Sequence, residues 1–65
     1  MNLLEKIQNA EKRLENAENT LRYKEKCLKS SKSKEESELF TDHVNHWSKI
    51  VDRRRNTLNM LKKSL

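Results

Sequence analysis

Three side chains hold most of the chemical potential of this chain. They are His43 and His46, one helical turn apart in His43-Val44-Asn45-His46, and the single cysteine, Cys27. Two imidazoles and a thiolate are ligands that zinc accepts, but a closed site takes four. The sequence offers no fourth ligand better than Asp42 and no Cys-x-x-Cys pair. Cys27 near His43 is also the residue pair of a thiolate nucleophile. That chemistry needs an oxyanion pocket inside a cleft. The chain has no glycine, so a phosphate-cradling loop is excluded as well. The expectation is a protein that is not an enzyme and takes no metal or cofactor, with the two histidines at a surface or interface.

The elements that position these residues are legible as two heptad stripes. One runs Leu3, Ile7, Ala10, Leu14, Ala17, Leu21, Lys24, Leu28; the other runs Phe40, Val44, Trp47, Val51, Arg54, Leu58, Leu61, Leu65. Each alternates steps of four and three, the spacing of a coiled-coil seam. Equivalent positions Leu28 and Val44 are 16 residues apart. At about 100° per residue, one straight helix would carry the stripes on faces roughly 160° apart. A hairpin lets them meet, so the predicted fold is all-α, an antiparallel two-helix hairpin of coiled-coil type.

The expected layout is a single domain over residues 1–65, with helix 1 at about 2–29, a turn at about 30–33 and helix 2 at about 34–64. Asn2 with Glu5, and Ser33 with Glu36, have the spacing of capping boxes. The stripes match when paired residue numbers sum to about 68, which sets the small Ala10 and Ala17 near the bulkier Leu58 and Val51. Lys24 and Arg54 are the only charged residues on the seams. They are expected at the rim, with stems packed and charges at water, or as setters of register.

Leu, Ile, Val and Phe total 14 of the 65 residues, a small stock for a core. A dimer of hairpins forming a four-helix bundle would enlarge it. No apolar run marks a secretory signal or a membrane span, and one cysteine gives no disulfide framework. The expected location is the cytoplasm, with no membrane partner.

Outside the seam the hairpin has two unlike flanks. Positions e and b carry Glu11, Glu15, Glu18, Glu25, Ser48, Asp52, Arg55 and Lys62, and this flank should be solvated, with Glu11 near Arg55. Positions g and c carry the candidate protein interface: Tyr23, Cys27, Leu39, His43, His46, Ile50, Arg53, Thr57 and Met60. Aromatics, Met and Arg are enriched at interfaces, and Ile50, Leu39 and Met60 widen the apolar face beyond what one neighbouring helix covers. The expected function is a small regulatory or adaptor protein that binds and modulates, or inhibits, a larger protein through this face.

The net charge of +5 supports a second expectation. Lys49, Arg53, Asn56 and Lys63 share one outer face of helix 2 and could contact nucleic acid, RNA or DNA. In size class and hairpin-dimer plan the chain is similar to the plasmid RNA-binding protein Rop. The likeness is one of architecture and lies in no stretch of sequence. Helix dipoles account for much of the charge asymmetry, since basic residues gather late in each helix and acids gather early in helix 2.

Overall fold

The computed structural model describes residues 2–65. Two helices, α1 (Leu3–Lys29) and α2 (Lys34–Lys63), pack side by side as a hairpin. The chain measures 48 × 14 × 14 Å, whereas one uninterrupted helix of this length would extend about 100 Å. No described helix is long and apolar enough to cross a membrane.

Each helix starts where a polar side chain can satisfy its first amides. Asn2, in extended conformation, accepts from the Glu5 N–H at 2.8 Å. Ser33 does the same for the Glu36 N–H at 3.1 Å. The second box closes in a shifted form. The Glu36 carboxylate accepts from the backbone N–H of Lys32, one residue before the cap, at 3.1 Å. Glu36 thus ties the connecting turn to the helix it opens.

The turn needs no glycine because none of the described residues has positive φ. Helix α1 closes instead through serines. The Ser30 N–H bonds to the Lys26 carbonyl, the Ser31 N–H to that of Leu28, and the Ser31 hydroxyl to that of Cys27. These bonds satisfy carbonyls that a left-handed cap would otherwise serve. Glu5 begins α1 and Glu35 and Glu36 begin α2, while Lys26, Lys29, Lys62 and Lys63 sit in the last turns, as the helix dipole favours.

The core is narrow. Ile7 and Ala17 from α1 and Val51 and Leu58 from α2 are the buried residues. Most of the remaining stripe is half-covered, and Leu65 lies exposed at the end. The accessible surface is 5293 Å². A compact monomer of 7.8 kDa would expose roughly 4,400 Å². Two helices alone cannot surround a core, and the excess follows from the elongated shape.

Two long side chains cross the seam. Arg54 donates from Nη1 to the Arg13 carbonyl at 2.9 Å, a pairing one residue from the expected register. The Lys24 ammonium lies 5.9 Å from the Tyr23 ring centre and 6.0 Å from that of Phe40. Arg54 therefore does more than reach water: a charged seam residue spends a donor on the backbone of the facing helix.

The expected approach of Arg55 to Glu11 is corrected. Arg55 is in ion pairs with Glu18, at 3.7 Å, and with Asp52, at 3.9 Å. Helical side chains lean toward the N-terminus of their own helix. Arg55 consequently leans toward Asp52, and in an antiparallel pair that direction leads to higher numbers on α1, hence to Glu18.

Candidate interaction face

The g and c positions form one continuous flank. Its inner row is half-covered at Thr20, Cys27, His43 and Ile50, and its outer row is exposed at Tyr23, Leu39, His46, Arg53 and Met60. Tyr23 is 62% exposed, Leu39 52% and Met60 69%, high values for large apolar side chains on one side of so small a molecule. Thr57 is also exposed, its hydroxyl bonded back to the Arg53 carbonyl.

The three chemically able side chains do not assemble a metal site. Among the described residues no group of three or more His, Cys, Asp or Glu is placed to hold an ion. Cys27 is a free, half-covered thiol. His43 turns inward, edge-on to Phe40 with ring centres 5.7 Å apart, and its Nδ1 is buried without a hydrogen-bond partner. His46 lies outward, edge-on to Trp47 at 6.0 Å. The imidazoles thus serve packing, one at the seam and one on the surface.

Toward the chain termini the flank opens into a furrow between the helices. One groove, of about 230 Å³, is lined by Ala10, Arg13, Ile50, Arg53, Arg54 and Thr57. A second adjoins it through Ala10, Arg13 and Thr57, and adds Lys6, Lys12 and Leu61 with two asparagines. The local sequence explains the opening. Ala10 contributes only a methyl to the seam, and Arg54, one turn along the facing helix, reaches across to the Arg13 carbonyl and leaves the space beside Ala10 unfilled. Ile50 and Leu61 supply an apolar floor, and five cations rim it with no carboxylate among the lining residues.

Of the interface residues expected from sequence, Ile50, Arg53 and Thr57 come together in this furrow. Tyr23, Cys27, Leu39, His43 and His46 belong to the turn-ward half of the flank, and Met60 stands outside the furrow near the C-terminus. Lys49, Arg53, Asn56 and Lys63 are all exposed, and only Arg53 among them lines the furrow. Sequence reasoning did not single out Arg13, Lys6 or Lys12 as site residues. The signal was present in the g positions Lys6 and Arg13 flanking the small Ala10.

The opposite flank is different in kind. Glu11, Glu15, Glu25, Ser48, Asp52 and Lys62 are exposed, and Glu18 is partly covered under Arg55. Its charges are mixed and partly paired.

No protein-family model, curated protein or solved structure matches the chain.

Proposed function

We propose that this chain is a non-enzymatic binding protein that works through its g/c flank. Two hairpins associate there into a four-helix bundle, and the assembled bundle binds and modulates a larger protein. The observation that carries this reading is the half-covered row of Cys27, His43 and Ile50 lying beside the exposed Tyr23, Leu39 and Met60; the opposite flank exposes one large apolar side chain, Leu4, at its end. Apolar surface collected on one face is what association buries. The narrow core supports the same reading, because a hairpin with four buried side chains gains most from further helices packed on its open side.

Sedimentation equilibrium of the wild-type chain and of Ile50→Glu tests it. The wild-type protein should associate at micromolar concentrations, and the variant should remain a helical monomer. Association unchanged by a carboxylate at position 50 would remove the flank from the interface.

A second reading has a specific observation behind it. Lys49, Arg53, Asn56 and Lys63 are exposed, and none of the three cations is in an ion pair. A phosphate backbone would suit this face. Generic RNA or DNA titrated at several salt concentrations tests it, since counterion release produces a steep loss of affinity with salt. The furrow floor of Ala10, Ile50 and Leu61 favours the protein reading, because a nucleic-acid backbone has no apolar group to fill it and no aromatic lines it for base stacking.

A further inference from the structure

The flank is dipolar along its length. The g and c positions, with the f positions on the back of each helix beside them, divide by charge along its length. In the terminal half they hold Lys6, Lys12, Arg13, Lys49, Arg53 and Lys63 against the single acid Glu5. In the turn-ward half they hold Glu35, Glu36 and Asp42 against the single base Lys26. The six cations of the terminal half have no carboxylate partner; among the described residues the ion pairs are those of Arg55, on the other flank. The apolar groups divide in the same way. The terminal half has the open furrow floored by Ile50 and Leu61, and the turn-ward half has the exposed Leu39 beside Glu35, Glu36 and Asp42.

We infer that the occupant of the basic furrow is the acidic turn-ward end of a second copy of this chain, so that the two hairpins associate head to tail, with their turns at opposite ends of the bundle. This inference rests on the self-association proposed above and adds its direction. A two-fold axis crossing the flank near His46 brings the Leu39 turn of α2 in one copy over the Arg53 furrow of the other, and repeats the contact by symmetry. The furrow spans Ile50 to Leu61 on α2, about 16 Å of helix. That is room for the first turns of α2, whose Glu36 then lies against the arginine rim, with Glu35 and Asp42 behind it, while Leu39 covers the apolar floor. With both turns at the same end, each furrow would face its own copy, cation against cation, and each acidic end would do likewise. Charge arrangement of this kind fixes orientation more than affinity.

A spin label reads the direction. With Cys27→Ser removing the native thiol and Lys32→Cys placing a label in the turn, the distance between labels in the dimer is measured by pulsed electron resonance. The hairpin is 48 Å long, so turns at opposite ends hold the labels roughly 40 Å or more apart. Turns at the same end bring them within about 20 Å, given interhelical spacings of 8–10 Å. The long distance is expected, and the short one overturns the inference while leaving self-association intact. A wild-type chain that sediments as a monomer overturns both. Arg53→Glu supplies an independent arm, with the dimer dissociation constant expected to rise at least tenfold. If the dimer is indifferent to Arg53→Glu, and the same substitution abolishes salt-sensitive RNA binding, the furrow holds nucleic acid and the inference falls.

Discussion

The two flanks of this hairpin are built on the same pair of helices and share the same seam, yet they differ in how they finish. On the e/b flank, beyond the exposed Leu4 at its start, the chain ends in charges that meet water or each other: Arg55 reaches Glu18 and Asp52, and the neighbouring glutamates are solvated. On the g/c flank the chain ends in half-covered Cys27, His43 and Ile50, exposed Tyr23, Leu39 and Met60, and cations that form no ion pair. The difference teaches that an amphipathic helix can be amphipathic twice. One polarity separates seam from surface and makes the hairpin; the second separates one flank from the other and gives the hairpin a side on which to bind.

The largest expected effect breaks what both flanks stand on. Leu58 is 7% exposed and is one of four buried residues. Leu58→Ala should cost about 2–4 kcal/mol. For a domain of this size each kcal/mol lowers the midpoint by about 4–8 °C, so calorimetry should find the transition lowered by about 8 °C or more, with both flanks lost together. A variant that melted with the wild type would mean that the seam is not where the stability resides.

Next in size is the substitution that separates the flanks. Ile50→Glu should raise the dimer dissociation constant by at least tenfold, a cost of about 1.4 kcal/mol or more, while helicity by circular dichroism stays near the wild-type value. Ser48→Glu, two residues away on the e/b flank, should change neither. Equal effects at 48 and 50 would erase the distinction on which the proposed function depends.

How far this comparison was legible in the sequence depends on the residue. The hairpin, its caps at Asn2 and Ser33 and the position of the turn follow from heptad phase and from side-chain chemistry local to each helix end. Those signals act over three or four residues, and the structure repeats them at the Glu5 and Glu36 amides. Contacts between helices were less legible. The heptad register points Arg55 to Glu11, and the lean of side chains toward their own N-terminus takes it to Glu18 instead. The furrow was less legible still. It depends on a pair of seam residues, Ala10 too small and Arg54 diverted to a carbonyl, and a diverted side chain leaves no trace in a pattern of residue types.

Arg54 itself gives a smaller, sharper prediction. Its guanidinium bonds to a helix carbonyl at the edge of the furrow, and a charged hydrogen bond of this kind contributes about 1.5–3 kcal/mol where well shielded and less where water competes. Met in its place keeps an apolar stem on the seam and fills part of the opening. Arg54→Met should therefore leave the melting temperature within a few degrees of wild type, while hydrogen exchange at the amides around Arg13 and Ala17 quickens as the seam loses a fixed crossing. A large loss of stability would show that the crossing holds the hairpin together, in addition to setting its register.

The smallest effect is expected where ion pairs are most visible. Glu18 and Arg55 are 3.7 Å apart, but their side chains are 35% and 52% exposed. Exposed pairs of this kind contribute about 0–1 kcal/mol, because water and salt screen the attraction and two long side chains must be held still. A double-mutant cycle of Glu18→Gln and Arg55→Gln should return a coupling energy below about 1 kcal/mol, and that coupling should shrink further in 0.5 M salt. Neither substitution should alter dimerisation, since both lie on the flank that faces water. A coupling of several kcal/mol, or a dimer lost on removing Arg55, would mean that this flank is desolvated in the assembled protein. The two sides of the hairpin would then have to exchange roles.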